Sequence, residues 1–535
     1  MKKNSFILFF ILIISANHSL AQLAPNSFIM PDDHKTFKTA DQNPGSNGIS
    51  DIITIGDTVW LGTSNGISLS TDQGNTWTNF YGKDPFGDAS ISAIGYYNGI
   101  FWASTAASKD VNGQSLPEGT GIKFTTDVGM TWHSIPQSVD GDNDTVVIYG
   151  INRIRALPVT VTIQNLTYDI AFTPGYIWTA NFAGGLRKAP IDSLIANPNY
   201  KWQRVVIPPD YLDSISVNDT LNFCLQPVSG SFCSENNLNH RVFSVISTGD
   251  STLYVGSAGG INKTTDGGLS WKKFNHTNQE YPISGNFVVA LGYNNNNNSL
   301  WAATWQADGE TEFNAVSYST DDGNSWSNSL VGEQAHNFGF KDSSVIAATD
   351  DGPFRSSNIG SSWILPTSIT DNSTHLSISV HIFYAAGSQG PYVWLGSTDG
   401  LARLQEISGT IWSGTWKIYF ASAPLTSKVD SYAYPNPFSP KMDICKIKYS
   451  TGGKQANVTI RIFNFDMKFV RTVVQNVQRG EPIHSIDGTG TGTNGVVDFW
   501  DGKDDDGKIV PNGVYFYRVD VSGESPVFGK IIVLQ

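Results

Sequence analysis

A twelve-residue stretch, "LSTDQGNTWTNF" from Leu69 to Phe80, returns along the chain and limits the possible folds more than any other feature. Full copies are "FTTDVGMTWHSI" from Phe124, "KTTDGGLSWKKF" from Lys263 and "YSTDDGNSWSNS" from Tyr318. A fifth, "RSSNIGSSWILP" from Arg355, has Asn358 in place of the aspartate. Self-similarity at this spacing is the signature of like units stacked in an array. Each copy closes a wider unit: an apolar alternating run, a "W/Y-x-G/A-T/S" strand, a Gly turn and a further strand. The second-strand marks begin at Val59, Phe101, Ile177, Leu253, Leu300, Val345 and Val393, at intervals of 42, 76, 76, 47, 45 and 48 residues. Four of these six intervals match the roughly 40–50 residues of a four-stranded propeller blade. The two long ones predict inserts: Ala106 to Gly121, a stretch around Asp140 to Thr167, and Ile191 to His240. Inserts fall in loops, where binding is often carried. The asparagine tract from Asn294 to Asn298 reads as a hairpin turn. The expectation is an all-β, seven-bladed β-propeller over residues 49–421.

Composition agrees. Aromatic residues make up 12% and glycines number 52, while charged residues are only 15%, as suits pleated sheets joined by tight turns. A net charge of −13 with no basic run argues against nucleic acid as a partner.

The repeated aspartate decides whether this is chemistry or scaffolding. It falls between two outer strands, where a carboxylate can accept hydrogen bonds from turn N–H groups while the Gly two residues on takes a positive φ. A catalytic group has no reason to recur in every unit, whereas a turn clamp does. Asp72, Asp127, Asp266, Asp321 and Asn358 are therefore predicted turn clamps. Trp77, Trp132, Trp271, Trp326 and Trp363 are predicted to fill the space between neighbouring blades.

These segments resemble the Asp-box (BNR) repeats of sialidases, sortilin-type propellers, xyloglucan-cleaving propeller hydrolases and photosystem-assembly propellers. The resemblance implies the fold; the box is shared across unrelated functions. The sialidase members imply an arginine triad and an Arg-Ile-Pro signature before the first box. No Arg precedes Arg153 in this chain, which argues against that activity. No Ser nucleophile turn or HExxH motif is present. Asp169, Glu310 and Glu312 are candidates for a carboxylate pair, but read more simply as solvated loop acids. "DGDND" (Asp140 to Asp144) starts like a calcium loop, yet Thr145 and Ile151 occupy the positions of its Gly and distal Glu, so it reads as a solvated acidic turn. No catalytic residue, cofactor or metal site is predicted.

The two ends suggest an address. Lys2 and Lys3 precede "FILFFILIIS" and a small-residue exit at Ala21, the pattern of a secretory signal peptide over residues 1–21, with a lead-in over 22–48. No later segment is long and apolar enough to span a bilayer, so no transmembrane segment is expected in the mature protein. In an oxidising compartment the spacing of Cys224 and Cys233 suits a disulfide, with two unpaired loop thiols as the alternative. Residues 422–440, with "YPNPFSP", read as a Pro-rich linker, and 441–535 as a small β-sandwich. "YPNPFSP", "WDGKDDDGKIVPNGVYFYRV" and the terminal "GKIIVLQ" are similar to the FlgD-type immunoglobulin-like domain and to C-terminal sorting domains of type IX secretion cargo. That resemblance implies type IX secretion machinery as a partner, and a secreted or outer-membrane surface-attached location. The combined expectation is a non-enzymatic binding or scaffold protein recognising a glycan or protein. The alternative is an Asp-box glycoside hydrolase.

Overall fold

The computed structural model describes residues 43–421 apart from positions 83, 308, 374, 375 and 379, then 431–480 apart from 452–454, and 496–535. The expected signal peptide, residues 1–21, and most of the expected lead-in, 22–48, lie outside the described residues.

Among the described residues seven antiparallel sheets follow one another along the chain, each with one innermost strand. These strands are Ile49–Ile55, Ser90–Tyr97, Thr167–Thr173, Val242–Ser247, Phe287–Asn294, Ala335–Lys341 and Phe383–Gln389. Each lies against the next, and the strand of sheet 7 lies against that of sheet 1, so the ring closes. Trp60, Trp102, Trp178, Tyr254, Trp301, Ile346 and Trp394 all lie on second strands, as the interval series predicts. Neighbouring sheets bury their apolar faces against each other, which is what makes a sheet with two apolar faces stable here. Among the described residues no strand is shared between sheets 7 and 1. Instead Ala421 N–H donates to Asn47 Oδ1 at 2.7 Å, Thr54 Oγ1 to the Ser388 carbonyl at 2.9 Å, and Arg403 to the Gln73 carbonyl. Asn294 ends the first strand of sheet 5 and residues 295–298 form the turn to the second, where the Asn296 and Asn297 side chains donate to the turn of sheet 6.

The inserts are not separate loops. The first extends a long hairpin, Ile100–Val111 with Gln114–Thr125. The other two fold together, because Asn152–Ala156 pairs in parallel with Cys224–Leu225, and both pack with Ile215 and Trp271 beside sheets 3 and 4. Cys224 and Cys233 are bonded, with Cα atoms 6.5 Å apart.

The acidic turn differs from its expected solvated form. Asp140 is buried, and Arg187, itself only 1% exposed, grips both its oxygens at 2.9 and 3.0 Å. A charge buried this deeply requires such a partner. Asp144 pairs with Lys201.

The tail forms two sheets, one of three strands and one of four, around a shared core that includes Ile460, Trp500, Tyr517 and Ile531. Here the boundary moves. Residues 431–440, expected as linker, belong to the sandwich: Ser431–Tyr434 pairs with Cys445–Tyr449, and Phe438 is buried in the core beside Val533. Pro435, Pro437 and Pro440 all follow the edge strand rather than standing in it, so their missing N–H groups leave its ladder intact. Cys445 is buried and unpaired.

Candidate functional site

The five boxes occupy the turns between the third and fourth strands, or at Asn358 between the third strand and its short bridge partner Ile364. At Asp72, Oδ1 accepts from Ser70 Oγ, Asn75 N and Thr76 N at 2.8–2.9 Å, and Oδ2 accepts from Thr76 Oγ1 at 2.7 Å. Asp127, Asp266 and Asp321 repeat this pattern with Thr131, Ser270 and Ser325. At Asn358, Oδ1 still accepts from Ser362 N at 2.9 Å, while Nδ2 donates to Ser362 Oγ at 2.8 Å. The hydroxyl and amide of Thr131 hold the Asp127 carboxyl down, to about 2. Every carboxylate is consumed by its own turn.

The glycine two residues on shows why the turn is needed. Gly74 has φ +80°, and a Cβ there would lie 2.5 Å from the Trp394 ring of the preceding sheet. Gly360 likewise sits against Tyr318 and Gly323 against Phe274, each on the preceding sheet. The box tryptophans complete the joint: Trp77 meets Trp394, Trp132 meets Trp60 and Trp363 meets Trp301, all edge to face within 6.2 Å. All five box indole N–H groups are buried without an N or O partner. Aromatic faces are weak acceptors for such a group. The box is thus a joint between sheets, and no box residue lines the molecule's main cavity.

That cavity, about 390 Å³, runs along the ring axis and is lined from all seven innermost strands. Its geometry comes from a feature the repeat pattern does not reveal. Each innermost strand carries one register shift at the same level, seven in all. The residues left unpaired there include Ser50, Tyr168, Phe243, His336 and Tyr384, and all five line the cavity. A bulge redirects side chains in this way. The residues just after the bulge include Asp51, Asp169 and Asn337.

Asp169 is therefore not a solvated loop acid. Its Oδ1 accepts from Ile170 N and its Oδ2 from Val245 N on the next sheet, both at 2.8 Å. Asp51 accepts from Ile52 N at 2.8 Å and from Asn337 Nδ2 at 3.2 Å. Both carboxylates face the cavity while the sheets surround them. Burial pushes Asp51 up to about 6, against the opposing hydrogen bonds, and Asp169 up to about 7, with the Asp51 charge adding to the effect. His336 is 4% exposed; its Nε2 lies 2.7 Å from Asp350 Oδ1, and its Nδ1 has no partner. Glu312 is also buried rather than solvated, since Asn286 N, Asn286 Nδ2 and Ala307 N all donate to it. Glu310 is exposed. The sequence signal for the two cavity acids was available: an aspartate inside an apolar strand, in "ISDIITI" and "LTYDIAFT".

Among the described residues no group of three or more His, Cys, Asp or Glu is placed to hold a metal ion, and no helix is long and apolar enough to cross a membrane. No protein-family model matches the chain. No curated protein matches it either. Solved structures that it is similar to include PorZ, an essential bacterial surface component of the type-IX secretion system of Porphyromonas gingivalis, at 13% identity over 91% of this chain and 75% of that one, TM-score 0.32. They also include YCF48 from Cyanidioschyzon merolae, at 13% identity over 67% and 92% of the two chains, TM-score 0.35. An ancestral GH74 enzyme is 12% identical over 93% of this chain and 63% of that one, TM-score 0.49. At these identities a likeness concerns the fold alone.

Proposed function

We propose that the protein is exported and works at the bacterial surface as a non-enzymatic binding or scaffold protein, taking a glycan or protein segment at the axial cavity. One observation carries the reading: the cavity's carboxylates are bonded to main-chain N–H groups of their own strand and, at Asp169, of the next sheet. A general acid or nucleophile must turn its carboxyl onto the reacting bond, whereas these two are held in place by the sheets and keep only their remaining lone pairs for a ligand. Around them stand flat aromatic faces, including Tyr96, Tyr97 and Phe172, suited to a sugar ring or an apolar side chain. The tail's resemblance to sorting domains supports the surface address and type IX secretion machinery as a partner.

The alternative, a glycoside hydrolase, has one observation in its favour, namely that Asp51 and Asp169 share one cavity. Incubation with a panel of extracellular polysaccharides separates the two. Binding by calorimetry without release of reducing ends is expected. Release of reducing ends that Asp51→Asn or Asp169→Asn abolishes would establish the hydrolase instead.

A further inference from the structure

We propose that the axial cavity is a receptor for an organic ammonium group, so that its ligand carries a protonated amine. The inference rests on the binding reading above and names the chemistry that the cavity selects. Three features converge.

The first is an unbalanced set of charges. Asp51 and Asp169 both face the cavity, and no Lys or Arg is among the described residues that line it. A carboxylate offers about four acceptor sites. Asp169 fills two of them with the Ile170 and Val245 N–H groups, leaving acceptor capacity toward the cavity. Two carboxylates walled in by protein and lacking a cation are costly to ionise, and an entering cation removes that cost.

The second is the wall. Tyr96, Tyr97, Tyr168, Phe172, Phe243 and Tyr384 line the same space, and aromatic faces attract a desolvated ammonium. Tyr96, at the end of its strand, is 39% exposed and marks the mouth.

The third is His336. It stands in the cavity wall between Trp305 and Tyr384. Its Nδ1 is buried and without any partner, and in the neutral tautomer whose Nε2–H donates to Asp350 that atom presents a lone pair. A buried acceptor left unsatisfied favours a ligand that brings a donor. Carboxylates, ring faces and an imidazole lone pair all accept, so the complementary ligand is a cationic donor rather than an anion.

The amine could come from a lysine side chain or from an amino sugar. Calorimetry on the full chain at pH 7, where both amines are protonated, would use two matched pairs: Nα-acetyl-lysine amide against its Nε-acetylated form, and glucosamine against glucose. At least one amine is expected to bind at least tenfold more tightly than its neutral twin, and which one binds identifies the source. Asp169→Asn is expected to weaken that binding at least tenfold. If a variant fails to fold, the wild-type pairs still decide. Equal binding within both pairs, or no binding of either amine, would overturn the proposal. Binding of glucose with amines excluded would overturn it while leaving the binding reading intact. Hydrolysis of a polysaccharide would remove the binding reading without touching the preference for an amine.

Discussion

A single carboxylate does two different jobs in this molecule, depending on where the repeat puts it. In the box it accepts up to four backbone and hydroxyl donors from its own turn, and Asn358 shows how far the role can be relaxed, since one oxygen still takes the amide while the nitrogen donates to Ser362. Asp72→Ala is therefore expected to lower stability by about 1–3 kcal/mol, because the Asn75 and Thr76 amides lose their acceptor. Asp72→Asn is expected to cost clearly less than Asp72→Ala, and urea denaturation of the three proteins checks both. In the cavity the sign reverses. Box groups such as Asp127, held down to about 2, stabilise the fold above the unfolded value near 3.8 and lose that effect as pH falls toward 2. Asp51 and Asp169, pushed up to about 6 and 7, carry no cost below 3.8. As pH rises from there the unfolded chain ionises first, so stability drops, and the loss is complete once pH has passed about 7. Between pH 4.5 and 7.5 the melting temperature of the wild type is expected to fall more steeply than that of the Asp51→Asn, Asp169→Asn double variant. Parallel curves in scanning calorimetry would show that these two groups do not titrate as their burial requires.

At the level of elements, the insert between sheets 3 and 4 is held by one covalent link, Cys224 to Cys233, in a strand that also pairs with the earlier insert. Thiol titration of the native protein is expected to find none reactive, since Cys445 is buried and burial pushes its thiol up. One thiol per chain should react after unfolding and three after reduction. Three reactive thiols without reductant would mean the link is absent. The seven second strands could be read from the sequence because each carries a buried aromatic or aliphatic residue ahead of a small one, as in "VWLGT" and "LYVGS". The box turns were legible for a related reason: a residue with φ near +60° followed by a left-handed glycine leaves a local pattern of side chains. The bulges left no such trace. A bulge is set by how the strand meets its partner and by the packing of seven strands around one axis, so Ser50, Tyr168 and His336 look like ordinary strand residues. The pairing of the two inserts was equally hidden, because Ala156 and Leu225 lie far apart in the chain and meet only when sheets 3 and 4 are in place. Asp140 reads as solvated in the sequence for the same reason, its partner Arg187 standing on sheet 3.

On the scale of the whole molecule, the question is whether the ring depends on the tail. Its closure does not, since sheets 7 and 1 meet through Trp77 against Trp394 and Tyr419, and through Asn47 against Ala421. Among the described residues the tail nonetheless touches the ring, at sheet 7. Lys446 pairs with Asp399 and lies 4.0 Å above the Phe420 ring, and Val497 and Phe499 pack into the cluster that holds Ile418 and Phe420. Because residues 431–440 belong to the sandwich, a cut that respects both domains falls just after Ala421, not at the Pro-rich stretch. Ending the chain there uncovers Phe420 and leaves Asp399 at the surface without its cation. A surface carboxylate rehydrates at little cost, so the loss is mainly apolar contact at sheet 7. The truncated protein is expected to fold with native far-ultraviolet circular dichroism and a melting temperature lowered by a few degrees. If the tail is an address, the same protein expressed in its native host should cross the inner membrane and collect in the periplasm while the full chain reaches the surface. Surface display without the tail would end the sorting proposal. A truncated chain that cannot fold would mean that the contact at Phe420, small as it is, completes a core that the seven sheets cannot close alone.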